Sequence, residues 1–365
     1  MKALILCAKK KENLFPFTET TPTGLLPIAG KPAVRHIIED LRAVGTDEVF
    51  LVTNHLEERF EDEFKNEEDI SIVHQEEVTG TADAVKHCDF IEDDFFVVNG
   101  DVIVSRDDLR DLKKKHLNER PEATVLGDNE DRPEKFGVLS IVNDEVKTVE
   151  EKPEQAENSL VNTGVYAFRT SIFQAIEDSS SPSLAEAVGE LAQRRKVKMS
   201  VIDDYWMEID SLRKVWKADR FKRDKAVSGQ EIADSAQVHE LVEIKGNVRI
   251  GENVVIRENT TVEGPVIVGE NSVLGPNSSV FNSTVGADCQ IRGASVENSF
   301  LFDNQVIDPH THVEQSVLGR GTDIKAGTVI YESFIGDESF IEMNNSVKGA
   351  TFYPDARTDL GEITK

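Results

Sequence analysis

Three consecutive lysines, Lys9, Lys10 and Lys11, follow directly on the apolar run Ala3 to Leu6 in a chain whose formal net charge is −27. Ammonium groups in so acidic a protein mark a place where anions could be held. Asp101 closes a second apolar run, Phe95-Phe96-Val97-Val98, after Asn99-Gly100. In α/β sheets ligands sit beyond the carboxyl ends of the strands, and both the lysines and Asp101 fall at such ends. His310 and His312, in DPHTHVEQS, form a third group of interest. Two residues apart on a strand, they would face the same side, where a histidine could act as general base.

The elements that must position these groups divide the chain in two. In the first half Val34, Ile37, Ile38 and Leu41 recur at helical spacing before Gly45, a C-cap residue, and Val49 to Val52 reads as a strand. The unbroken run Phe95 to Val98 suits a central strand of a parallel sheet, so this half reads as α/β with helices on both faces. The second half has a different period. From Ile244 an aliphatic residue returns every six positions, at Ile250, Ile256, Val262, Val268, Leu274 and Val280, and after a one-residue slip the series runs on to Val347. Six fits neither a helix nor simple alternation. It fits a solenoid in which each hexad is one short strand and one turn, stacked so that the aliphatics bury one another. Residues 212–226 read as a charged helix. The expected organisation is an α/β domain over 1–225, a linker over 226–243, the solenoid over 244–350 and a solvated tail over 351–365.

Composition bounds the function. At 365 residues the chain exceeds what one core usually holds. No run reaches the eighteen apolar residues needed to cross a bilayer, and MKALILCA is too short for a secretory leader, so a cytoplasmic protein is expected. Cys7, Cys88 and Cys289 are too far apart for a zinc or disulfide framework. The net charge would repel nucleic acid and anionic membranes. It reads as surface solvation, or as adaptation to a salty, halophilic cytoplasm, where the Debye length falls to about 3 Å at 1 M salt.

Six short motifs then stand in a fixed order: HQEEVTGTADAV, VVNGD, FGVLSI, VEEKP, VNTGVYAF and YWMEIDS. Through them residues 1–225 resemble the sugar-1-phosphate nucleotidylyltransferases, and the hexads resemble the left-handed parallel β-helix. Together they resemble the long-form glucose-1-phosphate thymidylyltransferase branch. The resemblance implies a Rossmann-like nucleotidyltransferase domain followed by that β-helix. It implies a reaction in which a sugar 1-phosphate oxygen attacks the α-phosphorus of a nucleoside triphosphate, UTP or dTTP, and displaces pyrophosphate. Asp101 and Glu208 would hold Mg²⁺, Gln75 would read the base edge, and Gly80 would let the backbone approach the base. Gly137, Glu151, Asn162 and Gly164 would line the sugar pocket, with Lys152 on the sugar phosphate. The β-helix would mediate homo-oligomer assembly.

The phosphate loop departs from the family pattern. Both loop glycines are lysine, the loop arginine is Asn13, and the phosphate-binding lysine is Thr23. Lysines held in the glycines' left-handed conformation would cost about 1–2 kcal/mol each. Two readings stay open. Either Lys9, Lys10 and Lys11, with Asn13, hold the triphosphate, Lys10 and Lys11 replacing by charge what was lost; or they form a solvated loop over a dead site, and the protein is an inactive paralogue that binds nucleotide sugar and regulates a partner. A further alternative is acetyl transfer on the β-helix, with His310 or His312 as base.

Overall fold

The computed structural model describes residues 1–179 and 181–364. The chain forms two compact units, one of Met1–Lys10, Pro22–Leu25 and Ala33–Glu208, the other of Lys11–Thr21, Leu26–Pro32 and Ile209–Lys365. The division therefore does not follow a single cut at 225. Two short pieces from the start of the sequence are built into the second unit.

The first unit is organised on a nine-stranded sheet. Its strands run Ile70–His74, Val49–Thr53, Lys2–Leu6, Phe95–Asn99, Leu160–Phe168, Ala123–Asn129, Val197–Val201, Glu145–Glu151 and Gly137–Val142 in spatial order. The first four are parallel, whereas Leu160–Phe168 runs antiparallel to both its neighbours. The sheet is thus mixed rather than wholly parallel. An unbroken apolar run such as Phe95–Val98, fully buried throughout, reports burial on both faces and not the direction of its neighbours. Strand alternation sends Leu4, Val97 and Tyr166 into one core and Ile5, Val98 and Val165 into the other. The helix Ala33–Ala43 buries Val34, Ile37, Ile38 and Leu41, and Gly45 beyond it takes φ +83°, a conformation that favours glycine. The helix Arg106–Glu119 starts at Ser105, whose hydroxyl accepts from the Asp108 N–H at 3.0 Å.

In the second unit the helix Leu212–Ala226 precedes three parallel sheets of eight, seven and eight short strands, the three faces of a β-helix. The registers stack Val262, Val280, Val296, Val313, Ile330 and Val347 one above the next, all fully buried. Asn253, Asn259, Asn271 and Asn277 turn the corners with φ between +56° and +59°, a region asparagine tolerates better than most residues. Buried serines add a second ladder: the N–H groups of Ser299, Ser316 and Ser333 donate to the hydroxyls of Ser283, Ser299 and Ser316.

The coils reach further than the hexads suggested. Gln230–Ile232, Gln237–Val238 and Glu243–Lys245 already pair with the next coil, so 230–243 is a coil and not a linker. Ile232 and Val238 continue the six-residue spacing upstream but are exposed among polar neighbours, which hid them. Thr351–Phe352 and Ile363–Thr364 likewise pair with Phe334–Ile335 and Ser346–Lys348, so 351–364 is a coil and not a tail. The ladder joins backbones and does not need an aliphatic in every hexad.

The two early pieces are fastened within this unit. Phe17 packs 5.1 Å from the Phe302 ring, Thr20 Oγ1 donates to Asp337 Oδ2 at 2.6 Å, and the Ala29 N–H donates to Asp219 Oδ1 at 2.9 Å. Asp219 in turn pairs with Arg223 at 2.6 Å, both almost wholly buried. Among the described residues no helix is long and apolar enough to cross a membrane.

Candidate active site

In the first unit the carboxyl ends of the four parallel strands form one edge. The loops leaving it are stitched strand to strand: Gln75 N–H donates to Thr53 O at 2.9 Å, Cys7 N–H to Val52 O at 2.8 Å and Gly100 N–H to Leu6 O at 2.9 Å. Gln75, Cys7 and Gly100-Asp101 are thereby drawn onto the same edge. Gly100 must be glycine because a Cβ there would collide with Cys7 Sγ. Burial, with the Asp101 charge adding to it, pushes the Cys7 thiol well above its usual range. It is a protonated packing residue.

Opposite Asn99 the Leu160–Phe168 strand leaves its register. The slip against Ala123–Asn129 falls between Asn162 and Tyr166 and makes a bulge centred on Gly164, whose φ is +76°. A Cβ on Gly164 would meet the Asn99 amide. Inside the bulge Asn162 Oδ1 accepts the Gly164 N–H at 3.1 Å, and Asn162 Nδ2 donates to Tyr166 Oη at 2.5 Å. Trp206 Nε1 donates to Thr163 O at 3.0 Å. That tryptophan begins the strand Trp206–Glu208, which pairs with Val102–Val104 and sets Glu208 opposite Val102, one place along from Asp101.

Phe136 packs on Trp206 at 5.6 Å and its carbonyl accepts the Lys152 N–H at 2.9 Å. Glu151 lies opposite Gly137, and its Oε2 is 3.0 Å from where a Gly137 Cβ would be. Burial raises the Glu151 pKa; Lys152 pulls it back, and Glu186 and Glu208 push it up further. Lys152 extends from a left-handed backbone, φ +47°, with Nζ 3.8 Å from Glu151 Oε1 and a side chain 62 % exposed. Contacts and charge interactions thus connect Glu208, Asn162, Gly164, Gly137, Glu151 and Lys152, and Asp101 precedes Val102, the strand partner of Glu208.

Other expected residues behave differently. Gln75 is 1 % exposed, its amide donating to Asp83 Oδ2 at 2.7 Å and Gly80 O at 3.4 Å. The close neighbour that excludes a Cβ on Gly80 is Pro182 O. Lys9 is exposed and Lys10 half-buried; neither has a positive φ, and Lys11 is extended at φ −99°. The strain cost considered for lysines in a glycine loop therefore does not arise, because the loop has another shape. Lys11 and Asn13 belong to the second unit, where Lys11 O accepts from Thr18 Oγ1 at 2.9 Å. Thr23 is buried, and its hydroxyl has no hydrogen-bond partner among the described residues. His310 sits exposed in a turn at φ +63°, while His312 is on a strand with Nε2 3.2 Å from Glu314 Oε2. The two do not share a strand face, since the hexad's turn falls at residue 310.

Tyr166, Trp206 and Asn99 were not singled out from sequence, although they lie inside or beside VNTGVYAF, YWMEIDS and VVNGD. Their roles depend on a bulge, which no period reveals.

The donor set suits magnesium. This ion is commonly held by one or two carboxylates with substrate phosphates completing its shell. Asp101 and Glu208 offer hard oxygens from neighbouring positions, and the nearby Cys7 thiol is not a competing soft ligand. Among the described residues no group of three or more His, Cys, Asp or Glu could hold a metal by itself.

A mixed sheet with this edge defines the class: the nucleotidyl transferase model matches residues 2–225, and the chain belongs to that family. The EIF2B subunit epsilon LbH domain model matches residues 245–347. More particularly, the chain is similar to the bifunctional protein GlmU of Methanocaldococcus jannaschii, 36% identical over 340 residues, covering 90% of this chain and 80% of that protein. It is 31% identical over 359 residues to a bifunctional sugar-1-phosphate nucleotidylyltransferase/acetyltransferase of Sulfurisphaera tokodaii, covering 96% and 86%. A crystal structure of a Bacillus anthracis protein assigned as a glucose-1-phosphate thymidylyltransferase shares the fold, with TM-score 0.58 and 24% identity over 61% of this chain and 96% of that one.

Proposed function

We propose that the protein transfers a nucleotidyl group from a nucleoside triphosphate to a sugar 1-phosphate, giving a nucleotide sugar and pyrophosphate. The observation that carries this reading is the bulge at Gly164. Through Asn99 and Trp206 it ties the strand ends bearing Asp101 and Glu208 to the side chains of Asn162, Glu151 and Lys152.

The residues divide the task by chemistry. Lys152 is a compact, flexible cation suited to the sugar phosphate. Asn162 and Glu151 offer a donor and acceptors to sugar hydroxyls, and the glycine at 137 leaves room beside the Glu151 carboxylate. Gln75, with its amide already oriented by Asp83, faces the base through its remaining hydrogen-bonding capacity, and Gly80 holds the turn that carries it. Lys9 and Lys10, which follow the Lys2–Leu6 strand within the first unit, take the triphosphate. One phosphate oxygen of the sugar forms the new bond to the α-phosphorus as the bond to the β-phosphate oxygen breaks, and pyrophosphate carries away the electron pair. Mg²⁺, held by Asp101 and Glu208, would supply charge neutralisation on the phosphates. On this reading the charge of these two lysines stands in for the arginine and lysine of the family loop, and the pyrophosphate assay below separates an enzyme from a silent paralogue. The working state is a cytoplasmic homo-oligomer joined through the β-helix.

Pyrophosphate release from a panel of UTP or dTTP with hexose 1-phosphates, in Mg²⁺ and high salt, tests the reading. Sugar-dependent release from at least one pair is expected. Absence of release from every pair would overturn it.

A further inference from the structure

The helix Arg106–Glu119 opens on Ser105-Arg106-Asp107-Asp108, the spacing of hydroxyl and carboxylate found in a capping box. In that motif the acidic side chain returns to the backbone N–H of the capping residue. Here that N–H is taken, because it donates to Tyr205 O at 3.2 Å. The Asp108 carboxylate turns elsewhere. Its Oδ1 accepts the Asp203 N–H at 2.8 Å, and its Oδ2 accepts the Ser105 hydroxyl at 2.6 Å and the Tyr205 N–H at 3.4 Å. Asp108 is only 3 % exposed, so these donors stand in for the water it has lost.

The segment it grips leads directly into the strand Trp206–Glu208. That strand pairs antiparallel with Val102–Val104 over three residues, Trp206 opposite Val104 and Glu208 opposite Val102. Asp101 and Glu208 therefore stand at one end of the ladder, and Ser105 and Asp108 at the other. Two strands of three residues hold a register weakly by themselves. Side chains alternate along a strand, so Trp206 and Glu208 share one face and Met207 takes the opposite one. A slip of one residue would put Met207 on the face that Glu208 occupies. The Trp206 indole fixes the ladder against Thr163 O, and Asp108 fixes it against the turn that continues its own partner strand.

We propose that Asp108 is a positioning residue for the divalent cation: by holding the Asp203 and Tyr205 N–H groups it keeps Trp206–Glu208 in the register that sets Glu208 opposite Val102, the residue after Asp101. It acts through Glu208 and touches neither cation nor substrate. This rests on the nucleotidyl-transfer reading above, in which Asp101 and Glu208 hold Mg²⁺.

The experiment follows Mn²⁺, added alone, by the loss of its free-ion electron paramagnetic resonance signal. It is run in about 1 M KCl, where long-range attraction to a chain of net charge −27 is screened. The binding component that Glu208→Gln abolishes belongs to the Asp101 and Glu208 pair. Asp108→Asn, which keeps the shape but turns one acceptor into a donor, is expected to weaken that component about tenfold, as is typical for a group that orients a metal ligand. In the Glu208→Gln background it should change Mn²⁺ binding no further. An unchanged Mn²⁺ affinity in an Asp108→Asn protein that unfolds at the wild-type urea midpoint, or an effect that persists in the Glu208→Gln background, would overturn the proposal. If Asp108→Asn does not fold, Ser105→Ala loosens the carboxylate without removing it and should weaken the same component about threefold, and no change would overturn the proposal equally. A wild type that binds Mn²⁺ at this pair but releases no pyrophosphate strikes the nucleotidyl-transfer reading, and the Mn²⁺ cycle still decides the role of Asp108. A wild type with no component sensitive to Glu208→Gln overturns both.

Discussion

At the scale of single residues, two side chains illustrate how environment sets chemistry. Asp101 lies at the sheet edge in a turn that only glycine at 100 permits. If it holds the cation that neutralises the phosphates, Asp101→Asn lowers kcat by about 10²–10³ while leaving nucleotide-sugar binding measurable by calorimetry, the size expected when one preorganised charge partner is lost. A fall of less than tenfold would remove Asp101 from that role. His116 is a second case. Its ring is buried with Nδ1 2.9 Å from Thr124 Oγ1, and burial holds its pKa below the usual 6.5, with Arg169 acting the same way against the raising influence of Asp94 and Glu122. Below pH 6.5 the unfolded chain takes up a proton that the folded one resists, so stability is full above that pH and declines as the pH drops through it. Urea midpoints at pH 7.5 and 5.0 check this: the wild type should lose more than a His116→Gln variant, and equal losses would contradict it.

At the scale of elements, the fastening of Lys11–Thr21 is the notable feature. Asp337 Oδ2 accepts from Thr20, and its Oδ1 accepts the Arg320 N–H at 2.8 Å. Asp337→Ala leaves the Arg320 N–H unpaired and Thr20 Oγ1 with only its longer bond to Phe17 O at 3.4 Å, and is expected to cost about 1–3 kcal/mol. Trypsin cleavage after Lys9–Lys11 should accelerate with it, and an unchanged cleavage rate would show the segment held by other contacts. The helix Leu212–Ala226 carries a costlier contact. Burial works against both charges of the Asp219–Arg223 pair, each partner's charge opposing that, while the Arg223 guanidinium also donates to Asn282 O at 2.8 Å. Arg223→Ala strands the carboxylate and should destabilise by about 3–5 kcal/mol in thermal or urea unfolding. Much of this level is legible from sequence. The six-residue period reports the solenoid because its aliphatics must stack, and Phe95–Val98 reports a doubly buried strand. What escapes is whatever depends on backbone alone: the antiparallel run of Leu160–Phe168, the bulge at Gly164, and the coils at 230–243 and 351–364, where the ladder continues with few aliphatics. The motifs contain Asp101, Glu208, Glu151 and Asn162, but the bulge that lets Asn162 reach Tyr166 and the hydrogen bond from Trp206 back to Thr163 are not written in them.

At the scale of the whole molecule, charge and chemistry meet. A net charge of −27 implies self-repulsion that salt relieves, since the Debye length shortens from about 10 Å at 0.1 M to about 3 Å at 1 M. The unfolding midpoint should rise between those concentrations of KCl, and indifference would mean that the acidity serves solvation only. The family to which the chain belongs is settled, while its departures at Asn13 and Thr23 make activity the question to ask. The direct measurement follows the phosphorus. With nucleoside triphosphate labelled at the α-position, the label should pass into a product that also contains the sugar, only when sugar 1-phosphate is present, and the β,γ-label should leave as pyrophosphate. Label that stays in the triphosphate, or appears as free monophosphate regardless of sugar, would contradict the assignment.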